Sequence, residues 1–330
     1  MSMKKILCLL LCVLLLSPCV FAADEDDSLS QRLTEFRTAH GLDESNFAVC
    51  FYNSKTGALC SYNADTFFPV GSVWQFPLHM YYYEQEAAGA FEIPPEEQTE
   101  ENQVYKIGVR TLEECRYQSI ILGRDEIAEI MRDELGSVRQ YKELINREYG
   151  HIEADNLPEN YFTENVYSAR FLLNCLRYLD ARNADFNGLT ANYRMIQTGT
   201  GLGGYSYSYE IVHVADTENG MICDIAGVSA PQPYLLVAFM DESFGEGLLS
   251  ELNDLFCASV VETQNASGNA ATQNNRNNRD ELDLTVSVDR PIEGALPWVK
   301  YALIAAAALL AIGAIILLIL HKRQLDKESI

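Results

Sequence analysis

Positive charge is scarce in this sequence, in which 24 lysines and arginines face 47 aspartates and glutamates and give a formal net charge of −23. Proteins that bind nucleic acids use basic patches to neutralise phosphates. The shortage therefore excludes a nucleic-acid binder, and it disfavours anionic lipids and polyanions as partners. With 48% hydrophobic residues, the chain still has enough apolar content to fold around a core.

The sequence also lacks the usual patterns of metal and nucleotide sites. No two cysteines are separated by two residues, and no histidines cluster with cysteines, so we predict no metal site and no cofactor. The glycine-rich segment 198–204 lacks the Gly-Lys-Ser/Thr ending of a phosphate-binding loop and is predicted to be a loop of another kind.

The two ends of the chain carry apolar runs of different length. Lys4 and Lys5 precede a short apolar run over residues 6–16, and small residues end at Ala22, which is the layout of a cleaved secretory signal. Residues 301–320 are uncharged and almost wholly apolar, and a basic cluster follows them. That length and that flank are typical of a membrane-spanning helix with a cytoplasmic C-terminus.

These features predict a single-pass protein of the cell membrane whose main body lies outside the cell. The polar segment before the second apolar run cannot pack a core, so it is predicted to be a flexible stalk. The predicted segments are a signal peptide (1–22), an extracellular domain (23–260), a stalk (261–297), a transmembrane helix (298–320) and a cytoplasmic tail (321–330).

Hydrophobic patterning within the extracellular domain predicts strands near both ends and helices between them. A helix over 28–40 and a hairpin whose turn spans residues 53–57 come first, and a mostly helical middle follows. Alternating runs over 210–218, 221–230 and 234–240 then predict strands before a closing helix over 241–257. The predicted fold class is α+β, with an antiparallel sheet built from both chain ends and an inserted helical subdomain.

Six cysteines remain after the signal peptide, and the first hairpin contains two of them. If the hairpin is symmetric about Lys55, Cys50 lies opposite Cys60 at a distance that a disulfide can bridge. We therefore take this pair as the disulfide candidate.

Residues 62–78, Tyr-Asn-Ala-Asp-Thr-Phe-Phe-Pro-Val-Gly-Ser-Val-Trp-Gln-Phe-Pro-Leu, resemble the nucleophile segment of class A β-lactamases and related penicillin-recognising serine hydrolases. Residues 167–170 and the closing strands extend the likeness over most of the extracellular domain. The resemblance implies a β-lactamase-like fold in which Ser72 is the nucleophile of a Ser-x-x-Lys motif. This chain, however, has Gln75 at the lysine position. An amide is not a useful base near neutral pH, so Ser72 is predicted to lack its activator.

The family's other motifs also depart from their pattern. Arg124-Asp125-Glu126 stands where Ser-Asp-Asn is expected, and Asp125 is predicted to cap the following helix. For Lys-Thr-Gly, the segment 213–218 has the better spacing and puts Asp216, Thr217 and Glu218 at the motif positions. Gln197-Thr198-Gly199 is the competing segment, and Lys55-Thr56-Gly57 is interpreted as a hairpin turn. An anion at the lysine position would repel a substrate carboxylate.

Three further residues are weighed as bases. Glu153 stands at a plausible separation for the deacylating glutamate of the β-lactamases, although the local pattern differs. His213 could approach Ser72 from its strand. His79 lies two helical turns beyond Ser72 and is predicted to be a packed core histidine.

Three functions remain open at this point. The preferred one is a non-catalytic domain that binds a peptidoglycan fragment, a peptide, a β-lactam or a protein. The second is an active serine hydrolase, a β-lactamase or a D-Ala-D-Ala peptidase, in which Ser72 uses a non-standard base such as His213 or Asp125. The third is a structural or adhesion subunit that is held in the membrane through residues 301–320.

Overall fold

The computed structural model describes residues 24–93, 98, 104–196 and 199–277. The helices are α1 (Asp24–His40), α2 (Gln75–Ala87), α3 (Leu112–Arg116), α4 (Asp125–Asp133), α5 (Val138–Ile145), α6 (Ala169–Ala181), α7 (Asn187–Ile196) and α8 (Glu246–Asn277). The strands are β1 (Phe47–Asn53), β2 (Leu59–Tyr62), β3 (Phe67–Pro69), β4 (Lys106–Ile107), β5 (Arg110–Thr111), β6 (Val166–Ser168), β7 (Ile211–Glu218), β8 (Met221–Val228) and β9 (Tyr234–Asp241).

The main sheet has five strands in the order β2-β1-β9-β8-β7, and each neighbouring pair is antiparallel. Strands from the two chain ends meet where β1 pairs with β9. The hairpin of β7 and β8 turns at Asn219 and Gly220, which both have positive φ, as a tight two-residue turn requires. The predicted α+β class and its antiparallel sheet are confirmed.

Apolar residues on the two faces of the sheet belong to two separate cores. One core packs the sheet against α1 and α8, with residues such as Leu33, Leu236 and Phe256. The other packs it against α2 and the inserted helices, with Val237 and Leu172 among its members. Because successive strand residues point to opposite faces, the central strands β1, β9 and β8 contribute to both cores.

The hairpin register contradicts the predicted disulfide. Cys50 pairs with Ser61, and Cys60 pairs with Phe51, so the centre of the turn lies half a residue beyond Lys55. A one-residue offset puts two side chains on opposite faces of a sheet. Cys50 accordingly lies in the core on the α2 side, whereas Cys60 lies in the core on the α1 and α8 side, and no disulfide joins them.

The last helix differs from the prediction at both ends. It begins at Glu246, after a short 3₁₀ turn, rather than at residue 241. It continues to Asn277, into the segment predicted to be a flexible stalk, where alanine, asparagine and glutamine dominate and no proline interrupts the chain. The polar composition of this segment did not exclude a helix.

The predicted signal peptide, transmembrane helix and cytoplasmic tail lie outside the described residues. Within the described ranges, no helix combines the length and the apolar character that crossing a bilayer requires. One compact unit extends to Gln273, and it contains the sheet and the inserted helices.

Candidate functional site

A cavity of about 340 Å³ lies between the edge strand β7 and the start of α2. Five of the residues singled out in the sequence line it: Ser72, Gln75, Asp125, His213 and Asp216. They come from α2 and its preceding turn, from the first residue of α4 and from β7. The fold therefore brings together the three sequence segments that resemble motifs, although they are far apart in the chain.

Ser72 lies on a 3₁₀ turn, Gly71–Trp74, that leads directly into α2. Gly71 has a φ of +52°, which side chains of L residues rarely tolerate. A Cβ atom at this position would lie 2.5 Å from the Asp216 Oδ2 atom. Glycine is therefore required both by the turn and by the close approach of Asp216.

Two carboxylates of β7 cap this turn. The Ser72 backbone N–H donates to Asp216 Oδ2 at 2.7 Å, and the Gly71 N–H donates to Glu218 Oε2 at 3.1 Å. Asp216 and Glu218 are two residues apart on a strand and therefore face the same side. The backbone amide of a nucleophilic serine can stabilise an oxyanion. Here this amide already donates a hydrogen bond to the Asp216 carboxylate.

Gln75 is engaged with Asp125 rather than with the serine. Its Nε2 atom donates to Asp125 Oδ1 at 2.6 Å, and the glutamine is only 4% exposed. The Ser72 hydroxyl makes no hydrogen bond to any described residue. The geometry thus provides no base in contact with the hydroxyl.

Asp125 does not cap its helix as predicted. It is the first helical residue, and the N-cap position belongs to Arg124, whose side chain makes no capping bond. The carboxylate turns to Gln75 instead, because α4 starts beside α2. Sequence spacing alone could not distinguish these two roles.

The charge of the cavity is negative. Desolvation raises the pKa of Asp125, the neighbouring charges of Asp216, Glu129 and Glu126 raise it further, and the Gln75 hydrogen bond opposes these effects. None of the described residues that line the cavity is a lysine or an arginine. A ligand carboxylate would therefore meet repulsion here.

His213 borders the cavity but is committed to the other side of the sheet. It is three positions from Asp216 and so points away from the Ser72 turn. Its Nδ1 atom lies 3.1 Å from Asp224 Oδ1, and the histidine is 3% exposed. Burial raises the pKa of Asp224, which also accepts a hydrogen bond from the Leu202 N–H. This arrangement is that of a buried structural pair.

Glu153 is not brought to Ser72. It is exposed and lines a separate cavity of about 540 Å³ together with His151 and Arg170. The geometry therefore gives no support to Glu153 as a deacylating base.

The remaining motif residues have structural positions. Thr217 is exposed, and its N–H donates to Asp216 Oδ1. Lys55 and Thr56 form a turn in which both backbone N–H groups donate to Asn53 Oδ1, as predicted. In the competing Lys-Thr-Gly candidate, Gln197 and Thr198 lie outside the described residues, while β7 is the strand beside Ser72.

Two polar side chains of the cavity lining were missed by the sequence analysis. Tyr193 of α7 is 5% exposed, and its hydroxyl makes no hydrogen bond to any described residue. Ser119 donates to the Cys115 carbonyl at 2.8 Å and lies 3.3 Å from His79 Nε2. No local pattern distinguishes either residue, since both reach the cavity only through packing of the inserted helices.

His79 is a core histidine, as predicted. It is fully buried, and burial together with the Arg116 charge lowers its pKa to about 3. It therefore remains neutral at physiological pH and cannot provide a charged partner for the cavity.

Structural comparison identifies similar folds among β-lactamases. A β-lactamase from Xanthomonas campestris is 19% identical, with a TM-score of 0.54 over 72% of this chain and 100% of that one. An ancestral class A β-lactamase is 18% identical, with a TM-score of 0.54 over 71% and 99%. A β-lactamase from Chitinophaga pinensis is 16% identical, with a TM-score of 0.53 over 70% and 99%.

No family model matches the sequence, and no curated protein matches it. At these identities the structural likeness establishes the fold alone. The chain has an α+β, β-lactamase-like fold, and its activity must be argued from its own residues.

Proposed function

We propose that the domain binds a ligand in the Ser72 cavity without cleaving it. The observation that carries the proposal is the hydrogen bond from the Ser72 amide to Asp216. The amide that would stabilise a tetrahedral oxyanion is already bonded to a carboxylate, which an attacking substrate oxygen would have to displace. A ligand can still enter the cavity, because its opening to solvent is not filled by the described side chains.

The missing base supports the same conclusion. Positioned acids and bases contribute about 10²- to 10⁴-fold in rate, and an oxyanion donor contributes about 10²- to 10³-fold. Gln75 cannot take the serine proton, and Asp216 occupies the donor. Both contributions are absent, so we expect no measurable acyl transfer.

The ligand is proposed to be a peptidoglycan fragment, a peptide or a partner protein at the outer face of the cell membrane. The sequence features at the two ends of the chain support this location. In the proposed arrangement the signal 1–22 is removed, residues 298–320 span the membrane, and the stalk from residue 261 connects the domain to them.

The test is an acylation assay on the full-length protein in detergent. Wild-type protein and Ser72→Ala are incubated with penicillins, cephalosporins and acyl-D-alanyl esters, and the intact mass and product release are measured. We expect no adduct on either protein. An adduct or turnover that disappears in Ser72→Ala would contradict the proposal.

A second candidate is a serine hydrolase that uses Asp125 as its base. The favouring observation is that Asp125 lines the same cavity as Ser72 and has a raised pKa. A carboxylate with a higher pKa is a stronger base. Acylation that requires both Ser72 and Asp125, and that is lost in Asp125→Asn, would establish this alternative.

A further inference from the structure

The cavity contains polar atoms that the protein itself leaves without partners. Gln75 and Tyr193 are only 4% and 5% exposed. The Gln75 amide nitrogen is bonded to Asp125, but its Oε1 atom has no partner among the described residues, and neither has the Tyr193 hydroxyl. Because both residues line the cavity, a ligand could satisfy these atoms.

The same space has a charge that the described lining leaves uncompensated. Asp125 at the start of α4 and Asp216 of β7 both line it, and the charge of Asp216 acts on Asp125. The Asp125 carboxylate uses one oxygen for Gln75, and its other oxygen makes no hydrogen bond to a described residue. An ionised carboxylate is only an acceptor, so its natural complement is a cationic donor.

The walls between these groups are apolar. Ile120 is 6% exposed, and Ile196 and Val214, which also line the cavity, are half-buried. A volume of about 340 Å³ is near the lower end of small-molecule sites. The cavity therefore has room for one short aliphatic chain with a charged end.

We propose that the cavity binds a primary ammonium group on a short aliphatic stem. This inference rests on the proposed function, since it names the ligand class of the same site. The ammonium has three donors, which Asp125, the Gln75 carbonyl and the Tyr193 hydroxyl can accept. The stem lies against Ile120, Ile196 and Val214. The preference is opposite in sign to that of a site for a carboxylate-bearing substrate.

Two sources share this chemistry, namely a free diamine and the side chain of a lysine residue in a peptide. Calorimetry on the full-length Ser72→Ala protein in detergent uses cadaverine for the first source and Nα-acetyl-lysine amide for the second. Pentane-1,5-diol and glutarate are the matched neutral and anionic probes. We expect at least one amine to bind and both matched probes to fail.

The variants assign the binding to this cavity. Asp125→Asn keeps the acceptor for Gln75 but removes the charge, and we expect it to weaken amine binding by about tenfold or more. Tyr193→Phe removes only the hydroxyl and gives a second, smaller loss. Asp155→Asn removes a charge from an exposed turn outside the cavity, and this control is expected to bind amines like its parent.

Three results would overturn the inference: no amine binds the folded protein, glutarate binds as tightly as cadaverine, or amine binding is unchanged in both Asp125→Asn and Tyr193→Phe. None of them bears on whether Ser72 is acylated. Conversely, an adduct on Ser72 in the wild-type protein would end the non-catalytic proposal without affecting amine affinity in Ser72→Ala. The two proposals can therefore fail separately.

Discussion

The Ser72 cavity and the surroundings of Lys142 carry uncompensated charges of opposite sign. The cavity presents Asp125 and Asp216 without a basic residue in its described lining. Lys142 of α5 is fully buried, and its Nζ makes no hydrogen bond to a described residue. It lies instead 4.0 Å from the centroid of the Tyr167 ring and 4.8 Å from that of Tyr161.

The two regions differ in their access to solvent, and that difference decides how each charge is handled. The cavity is open, so water can solvate its carboxylates, and a proton or a cationic ligand can neutralise them. The Lys142 environment is closed, so it has only aromatic faces to offer, and burial lowers the pKa of Lys142 to about 7. An open charged region can recognise a ligand, whereas a closed one mainly costs stability.

Replacing Lys142 should produce the largest change. Its pKa falls from 10.5 to about 7 on folding. The native state therefore binds this proton less tightly than the unfolded state. The contribution of neutral Lys142 to the free energy of unfolding is fully present above pH 10.5, and it is lost as the pH falls through 7. At 1.36 kcal/mol per pKa unit this amounts to about 5 kcal/mol.

Lys142→Met should accordingly be more stable than wild type at pH 6, and its advantage should shrink steadily towards pH 10. Urea unfolding at a series of pH values measures this difference. Parallel pH profiles for the two proteins would mean that Lys142 keeps its ordinary pKa in the native state and would contradict the prediction.

Placing a lysine in the cavity should produce the next largest effect. Gln75→Lys restores a basic group beside Ser72, and Asp216→Ala releases the Ser72 amide. We expect each single variant to remain inactive and the double variant to acylate at about 10²-fold or more above wild type. Rates of penicillin adduct formation by mass spectrometry measure this effect. Equal adduct formation by Gln75→Lys alone would show that Asp216 does not block the amide.

Removing the Asp216 carboxylate should destabilise the Ser72 turn. Loss of a capping oxygen from a helix start costs about 1 kcal/mol, so Asp216→Ala should lower the free energy of unfolding by roughly that amount. Asp216→Asn keeps an acceptor oxygen and should lose less. Thr217→Ala, at an exposed neighbouring position, serves as the control in urea unfolding. Equal stability of Asp216→Ala and Thr217→Ala would contradict the capping role.

The smallest effect is expected at Asp125. Desolvation and the charges of Asp216, Glu129 and Glu126 raise its pKa, so its stabilising contribution is present below pH 3.8 and is lost as the pH rises through the folded pKa. Asp125→Asn should be slightly more stable than wild type at pH 7, by less than about 1 kcal/mol because water screens the site, and equally stable at pH 3. A gain at pH 3 as large as that at pH 7 would contradict this origin.

The sequence predicted the sheet better than it predicted contacts across it. Alternating runs identified β7, β8 and β9 to within about two residues at most ends, because strand patterning is local. The Cys50–Cys60 pairing failed because register depends on the turn. The Gly57 N–H bonds to the Asn53 carbonyl, and this turn shifts the pairing by one residue.

The site was predicted in part. Gln75 and Asp216 could be placed at motif positions from the resemblance alone, which gave the negative sign of the cavity. Their partners could not be predicted, because the Asp216–Ser72 bond joins residues 144 positions apart and the Gln75–Asp125 bond joins residues 50 apart. Tyr193 depends on how α7 packs on the sheet, and no motif encodes that.

The contact between Gly71 and Asp216 also makes the two positions unequal in the changes that they tolerate. A Cβ atom at position 71 would collide with the Asp216 carboxylate, whereas a smaller residue at position 216 leaves Gly71 undisturbed. Descendant sequences could therefore lose the aspartate while they keep the glycine. The φ of +52° at position 71 remains after any change at position 216, and the Cβ atom of residue 216 would itself lie 2.9 Å from a Cβ atom at position 71. We therefore expect related sequences to keep glycine at position 71 whichever residue stands at position 216.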